Sequence, residues 1–255
     1  MIEPSLLAVV EYAITLLFLA PFSVYDYKKR DIPDKLVYLF LAVSAVFCFL
    51  NFYLVKDLIP FQAQALYTLV SVVPVPLVLL ILTKLELVGL ADFYVVTSIA
   101  IAYSAPLNYP TLLGGYSVPV PPIVYSVLIY ALVLQIAVHY GVLVVRLHGL
   151  GFRVPKGFSA WDKVFLVVAG WPLTVSELLE KDYYVPLQEP FETPLGVEWR
   201  LKGLTKVEDS ELRSRIGEFL ERGLVKHDEV VWASYGHPLV VYILFGFIIF
   251  LVRGF

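Results

Sequence analysis

Cysteine is almost absent from this sequence, and charged residues are scarce. The single cysteine, Cys48, excludes an intramolecular disulfide and any zinc site built from paired cysteines. Asp, Glu, Lys and Arg make up only 16% of the chain, and there is no phosphate-binding loop, no Cys/His metal pattern and no basic patch for nucleic acid. We therefore expect no cofactor, no bound metal and no nucleic-acid partner.

Apolar residues dominate the composition. They make up 59% of the chain, and the mean hydropathy is +0.79. A helix needs roughly 20 apolar residues to cross about 30 Å of hydrocarbon. The sequence predicts an all-α polytopic membrane protein with about six transmembrane helices and a small mixed α/β cytoplasmic insertion. The predicted spans are 5–25, 36–55, 64–83, 88–105, 121–145 and 237–253, with a kink in the third at Pro74 and Pro76.

Basic residues are unevenly distributed over the connections between these spans. The connection 51–63 contains only Lys56, and 106–120 contains no Lys or Arg. The turns after the first, third and fifth spans hold Lys28, Lys29, Arg30, Lys35, Lys84, Arg146, Arg153 and Lys156. Since cytoplasmic connections are rich in Lys and Arg, we predict that these turns lie in the cytoplasm and that both termini lie outside the cell membrane.

Composition changes abruptly between the fifth and sixth spans. From Ser176 to Val231 we count 13 acidic and 8 basic residues, a density typical of a small solvated domain. An amphipathic helix is predicted from Glu208 to Arg222, with a strand or hairpin over 224–232. The apolar stretch 161–172 is too short for a span and favours an interfacial or re-entrant piece. The predicted domains are a transmembrane domain at 1–148, an insertion at 149–235 and a last transmembrane helix at 236–255.

Two aspartates lie at the ends of apolar segments. Asp26 ends the first span beside Lys28 and Lys29, and Asp92 opens the fourth. Carboxylates are costly in such places and indicate function. The predicted topology puts both on the cytoplasmic side, where they could meet. Two carboxylates about 3 Å apart share a proton, so one can activate a water while the other donates to a peptide carbonyl, as in aspartic proteases.

The residues around these aspartates resemble a known family. Asp26 is followed by Arg30 and Ile32-Pro33, which is similar to the Asp-x-x-x-Arg-x-Ile-Pro region of the type IV prepilin peptidases. Gly89-Leu90-Ala91-Asp92 resembles their Gly-x-Gly-Asp motif, with Ala91 in place of the second glycine, as in the archaeal preflagellin peptidases. The two motifs also occur in the order found in that family.

This resemblance implies a membrane aspartic endopeptidase in which Asp26 and Asp92 are catalytic and Gly89 and Ala91 support the second aspartate. Independently of the resemblance, a glycine at position 89 would let a substrate backbone approach the helix start closely. The implied substrates are flagellin or type IV pilin-like precursors, cut after a basic leader at the cytoplasmic face. Bacterial members add a cysteine-rich zinc region and methylate the product. This chain lacks those cysteines, so we expect peptidase activity alone.

The acidic insertion leads to a further hypothesis about substrate binding. A leader rich in Lys and Arg would be attracted to a negatively charged surface, which raises the encounter rate. We predict that this surface includes Glu177, Glu180, Asp182, Glu189 and Glu192. The simpler alternative is that the stretch is an ordinary solvated face of the insertion.

Two other functions fit the same residues. A small transporter or channel could use the carboxylates to bind a cation or relay protons, and a scaffold could recruit partners through the acidic insertion. We find no internal repeat of the kind common in transporters, and a scaffold leaves both aspartates without a role.

Individual ionisable residues have simpler alternatives. Asp26 could be a solvated interfacial residue, and Asp92 could pair with Lys84. We expect Glu11, near the outer end of the first span, to reach the membrane interface through its long side chain. His139 is expected to be a hydrogen-bonded structural group, because no second metal-type residue lies at helical spacing nearby.

Overall fold

Helices dominate the computed structural model, which describes residues 4–84, 88–105, 109–112, 116–117, 122–151, 154, 158–181, 183–194, 196–202, 209–236 and 238–254. The chain divides into two compact units. Met1–Gln135 and Pro238–Phe255 form the first, which we call the helical unit, and Ile136–His237 form the second, which we call the sheet unit.

The elements follow one another along the chain with short connections. The helices are α1 (Pro4–Lys29), α2 (Asp34–Val55), α3 (Phe61–Val72), α4 (Pro74–Lys84), α5 (Leu90–Ala102), α6 (Ile123–Leu150), α7 (Ala160–Ala169), α8 (Val175–Glu180), α9 (Asp209–Glu221) and α10 (Leu239–Arg253). The strands are β1 (Tyr109–Pro110), β2 (Tyr116–Ser117), β3 (Trp171–Thr174), β4 (Tyr184–Pro186), β5 (Gln188–Thr193), β6 (Gly196–Leu201) and β7 (Val230–Tyr235).

Four helical stretches in the described residues are long and apolar enough to cross a membrane. They are Leu6–Lys29, Asp34–Val55, Phe61–Lys84 and Ile123–Leu150. The two remaining predicted spans correspond to α5 and α10, which are apolar but only 13 and 15 residues long. A straight helix of that length rises about 20–22 Å, less than the hydrocarbon thickness. The structure thus supports four spans by length and leaves the predicted number of about six unconfirmed.

The third apolar segment is broken in the middle, as its prolines predict. α3 ends at Val72, and α4 begins at Pro74. Proline lacks the backbone N–H that would continue the helical ladder, but its fixed φ suits the first position of a new helix. The Val73 N–H still donates to the Leu69 carbonyl, so the break costs little hydrogen bonding.

The helical unit has one continuous core, in which α6 and α10 approach each other closely. A Cβ atom at Gly246 of α10 would lie 2.4 Å from the Val127 carbonyl oxygen and 2.9 Å from the Ala131 nitrogen of α6. No other residue fits there, because both obstacles are backbone atoms. Small residues at helix contacts are a common means of packing apolar helices in membranes.

The sheet unit contains a three-stranded antiparallel sheet in the order β3-β7-β4 and a separate β5–β6 hairpin. The amphipathic pattern predicted helix α9 correctly: Leu212, Ile216 and Phe219 point into the core of this unit. Gly223 follows the helix with a φ of +68°, a left-handed conformation that favours glycine. The predicted start of this helix at Glu208 lies outside the described residues.

The apolar stretch 161–172 combines two different elements. Its first part is helix α7, and its end enters strand β3, which pairs with β7 at the centre of the sheet. Gly170 separates them, and a Cβ atom at this position would lie 2.8 Å from the Ala233 carbonyl oxygen. The close approach of the β7 backbone therefore ends the helix at this point.

Candidate active site

Asp26 lies in the last turn of α1, where the chain is about to leave the helix. The residue after the helix, Arg30, has a φ of +55°, and its N–H still donates to the Asp26 carbonyl. The Asp26 side chain is buried, with 8% of the residue exposed. It is therefore not the solvated interfacial residue that the sequence leaves open as an alternative.

The buried carboxylate of Asp26 faces the start of α10. Its Oδ2 accepts a hydrogen bond from the Val240 N–H at 2.9 Å. Nearby, the Ser23 hydroxyl donates to the Leu19 carbonyl at 2.7 Å and to the Val240 carbonyl at 3.2 Å. Because the first N–H groups of a helix lack partners within the helix, Asp26 satisfies one that would otherwise be buried unpaired.

Asp92 lies in the first turn of α5. Its Oδ2 accepts a hydrogen bond from the Gly89 N–H at 3.3 Å, across the start of the helix. The side chain is half-buried. A Cβ atom at Gly89 would lie 3.2 Å from this same Oδ2, which is closer than most real contacts. Gly89 therefore gives room to the carboxylate of Asp92 itself, a more local role than the substrate approach that the sequence suggests.

The structure brings the two aspartates into one electrostatic environment. Asp26 acts on Asp92 as a nearby negative charge, and the Arg30 guanidinium acts on both carboxylates as a nearby positive charge. Two carboxylates close together repel each other when both are ionised, and a nearby cation offsets only part of that repulsion. Such a pair favours a state in which one carboxylate holds a proton.

A second buried carboxylate, Glu11, was placed wrongly from the sequence. Instead of reaching the membrane interface, Glu11 is fully buried in the helical unit. The Asn51 amide donates to its two carboxylate oxygens at 3.4 and 3.3 Å, and also to the Ala102 carbonyl at 3.1 Å. The signal in the sequence is Asn51, a polar residue within the apolar last turns of α2, which indicates a buried partner.

Among the described residues there is no group of three or more His, Cys, Asp or Glu side chains that could hold a metal ion. His139 contacts the Val167 carbonyl oxygen at 3.4 Å, in agreement with the structural role expected for it. The chemistry that this region can perform with its own groups is proton transfer between carboxylates and a bound water.

The predicted acidic surface of the sheet unit is partly occupied by internal contacts. Glu177 accepts from Arg146 at 3.3 Å and caps the start of α8, where it also accepts from the Thr174 N–H. Glu192 accepts from Arg222 at 2.9 Å. Glu180 is exposed, and Glu189 is half-buried in strand β5 opposite Arg200. Asp182 lies outside the described residues.

Comparison with known families gives two matches along the chain. Residues 13–138 match the type IV leader peptidase family, and residues 162–255 match the archaeal peptidase A24 C-terminus, type II. The first match contains both Asp26 and Asp92, and the second contains most of the sheet unit together with α10. No curated protein matches the sequence significantly.

Proposed function

Because this chain belongs to the type IV leader peptidase family, whose members are membrane aspartic proteases, we propose that Asp26 and Asp92 are its catalytic dyad. The chain is a multi-pass membrane protein with hydrolase activity. The dyad is supported most directly by the two carboxylates, which come from separate helices and lie within electrostatic range of each other and of Arg30. We further propose that the substrates are archaeal flagellin or type IV pilin-like precursors, whose basic leader the enzyme removes at the cytoplasmic face.

The hydrogen bonds to the two carboxylates favour different roles. The Val240 N–H reaches Asp26 at 2.9 Å, whereas the Gly89 N–H reaches Asp92 at the longer distance of 3.3 Å. A short bond from a backbone donor stabilises an ionised carboxylate more than a long one. We therefore assign Asp26 as the general base and Asp92 as the protonated partner that acts as general acid.

The reaction then follows from these roles. Asp26 takes a proton from water as the water oxygen bonds to the scissile carbonyl carbon, and Asp92 gives its proton to the carbonyl oxygen. The resulting tetrahedral intermediate breaks its C–N bond. The leaving nitrogen takes the proton held by Asp26, and Asp92 recovers a proton from one hydroxyl of the intermediate. Both carboxylates return to their starting states without a cofactor.

The proposed orientation places this dyad on the cytoplasmic side. The turn that follows Asp26 holds Lys28, Lys29 and Arg30, and Lys84 precedes the helix of Asp92. Connections rich in Lys and Arg remain in the cytoplasm. Precursors carry their basic leader on that side of the membrane, so the cut would fall where the leader meets the bilayer.

The test of the catalytic proposal is cleavage of a pilin-like precursor with a basic leader. The purified protein in detergent is incubated beside its Asp26→Asn and Asp92→Asn variants, and the shortened product is sought by mass. Asparagine keeps the size of the side chain and an acceptor oxygen, so both variants should fold. Cleavage by the wild type alone supports the dyad. Equal cleavage by a variant, or none by folded wild type with several precursors, contradicts the proposal.

The acidic surface is proposed to attract the leader, with Glu180 and Glu189 as its principal members. Glu177 and Glu192 are already paired with arginines, so they contribute less negative potential. Changing Glu180 and Glu189 to Lys should slow cleavage by about tenfold at low salt. The effect should shrink above about 0.5 M salt, where charges are screened within a few ångströms. The matched control changes Glu218 and Glu221 of α9 to Lys. An unchanged rate, or an equal loss in the control, contradicts this role.

The alternative function, a small transporter that uses the same carboxylates, is not favoured by the family to which the chain belongs.

A further inference from the structure

Helix α7 of the sheet unit exposes an apolar stripe that has no cover among the described residues. Trp161, Val164, Phe165 and Val168 are exposed by 82%, 51%, 49% and 58%. Their spacing of three, four and seven residues puts them on one face of the helix. Leu166, on the opposite face, is fully buried in the core of the sheet unit. The helix therefore has two apolar faces, of which the described residues cover one.

The helix that carries the stripe is anchored at its start. The Ser159 hydroxyl accepts from the Asp162 N–H, and the Asp162 carboxylate accepts from the Ser159 N–H at 2.8 Å. This reciprocal capping fixes the helix terminus without any contribution from the stripe. Lys163 is exposed on the side of the helix away from the stripe. An amphipathic helix with Trp and Phe on its apolar face is the usual form of a segment that lies in a membrane interface.

The contacts of α7 with α6 indicate the depth of this stripe relative to the membrane. His139 of α6 contacts the Val167 carbonyl oxygen of α7 at 3.4 Å, and its ring lies 5.6 Å from that of Trp171, just after α7. α6 is 28 residues long, which gives a length of about 42 Å, and His139 lies about 24 Å from its start. With the hydrocarbon, about 30 Å thick, beginning at the start of α6, this contact would lie inside the hydrocarbon or at its edge.

Arg146 marks the water side of the same helix. It lies about 10 Å beyond His139 along α6, where its guanidinium pairs with Glu177. Interfacial helices bury their apolar face in a layer roughly 5–10 Å thick. The distance between His139 and Arg146 along α6 therefore matches the thickness of that layer. Val144 and Val145, in this part of α6, are exposed by 66% and 71%, as expected for side chains in contact with lipid.

We propose that α7 lies in the plane of the membrane at the boundary between headgroups and acyl chains, with Trp161, Val164, Phe165 and Val168 in contact with lipid. The occupant of the stripe is the lipid bilayer that surrounds α6. This contact gives the sheet unit a lipid attachment that is independent of the spans. The inference depends on the membrane location of α6 and not on the peptidase reaction.

The fluorescence of Trp161 tests this proposal directly. The other three tryptophans, Trp171, Trp199 and Trp232, are exposed by no more than 7%, so quenchers should reach Trp161 first. The full-length protein is placed in lipid nanodiscs that carry a nitroxide either near the headgroup or deep in the acyl chain. Iodide serves as the quencher from the water side. Trp161→Phe removes the reporter and defines its share of the signal.

The expected result is stronger quenching by the shallow nitroxide than by the deep one, with weak quenching by iodide and loss of most lipid-dependent quenching in Trp161→Phe. Three results overturn the proposal. Quenching by iodide alone places the stripe in water. Stronger quenching by the deep label makes α7 a re-entrant segment. Protection from all three quenchers indicates a protein partner, such as a second copy of the chain.

A second pair of variants separates lipid contact from simple misfolding. Phe165→Asp and Val168→Asp together should raise the iodide quenching of Trp161 at least twofold, because charged groups on the stripe lift it toward water. Leu224→Asp is the matched control, since Leu224 is an exposed apolar residue of the same unit outside α7, at 37%. Equal iodide quenching in the wild type and the double variant, with both proteins folded, contradicts the lipid contact.

Discussion

Helix α1 carries a buried carboxylate near each end, and the groups around the two differ. Asp26 accepts a hydrogen bond from the start of α10 and lies within electrostatic reach of Asp92 and Arg30. Glu11, about 22 Å away along the helix, faces the Asn51 amide and a group of tyrosines that includes Tyr12 and Tyr103. In the proposed mechanism the first end passes a proton between two acids, whereas the partners that the described residues give Glu11 are an amide and tyrosines.

Burial of a carboxylate alone therefore does not mark a catalytic site in this molecule. Glu11 is buried more completely than Asp26, and its amide partner ties α1 and α2 to the end of α5 through Ala102. What distinguishes Asp26 is its neighbours: a second acid and a cation within electrostatic reach. We infer that Glu11 serves stability and Asp26 serves chemistry.

The largest difference between the proposed dyad and Glu11 is expected in turnover. Asp92→Asn removes the proposed proton donor, and general acid–base catalysis contributes about 10²–10⁴ in rate. Glu11→Gln keeps a hydrogen-bonding side chain and should retain cleavage within about threefold. Rates are compared per folded molecule with one precursor. A loss in Glu11→Gln that equals the loss in Asp92→Asn would remove the distinction between the two ends.

The stability of the helical unit should instead depend more on Glu11 than on Asp92. Glu11→Leu removes the two carboxylate oxygens that accept from the buried Asn51 amide and leaves this amide only the Ala102 carbonyl, which should cost about 1–2 kcal/mol. Glu11→Gln should cost less, because one acceptor oxygen remains. Thermal unfolding in a fixed detergent measures both. A Glu11→Leu variant as stable as the wild type would show that the contact with Asn51 contributes nothing.

A smaller effect on turnover is expected at Gly89. In Gly89→Ala the new Cβ atom would lie 3.2 Å from Asp92 Oδ2, so the carboxylate must shift by a few tenths of an ångström. Since a misplacement of 1 Å costs about 10²-fold, we expect a three- to tenfold loss. Gly141→Ala in α6 is the matched control, because its Cβ atom would meet nothing within 4 Å. Equal rates for the two variants would show that this glycine does not shape the site.

The sequence predicts the local features of the site and misses those that depend on distant partners. Asp26, Asp92 and the broken helix at Pro74 can each be predicted from neighbouring residues, as can the buried face of α9. The contact between Asp26 and Val240 joins residues 214 positions apart, and the contact between Glu11 and Asn51 joins residues 40 apart. No helical or strand period connects such pairs, because only the packing of separate helices brings them together.

The ends of helices are also predicted poorly from the sequence, because they too depend on distant partners. The fourth predicted span, 88–105, becomes the shorter helix α5, which ends at Ala102. Beyond it, the Ser104 carbonyl accepts from the Thr68 hydroxyl at 2.9 Å, and the Ser104 hydroxyl contacts Cys48 at 3.2 Å. Side chains of α2 and α3 thus pair with the polar groups of Ser104. In a longer helix, hydrogen bonds within the helix would have satisfied its backbone groups. Hydropathy reports that this stretch is apolar but not where its helix stops.

The smallest expected effect concerns a hydrogen bond between α1 and the residue that follows α5, which is separate from the contacts of Asn51. The hydroxyls of Thr15 and Tyr103 lie 2.8 Å apart and are buried. A double-mutant cycle with Thr15→Val and Tyr103→Phe should give a coupling of about 0.6 kcal/mol, the average for such bonds in membranes. Because Tyr103 follows the helix that carries Asp92, the same variants test whether this tie also positions the dyad. If it only supports the fold, cleavage per folded molecule stays unchanged while the unfolding temperature falls. A parallel loss of turnover in both single variants would instead mean that the Glu11 end of α1 contributes to catalysis by holding α5 in place.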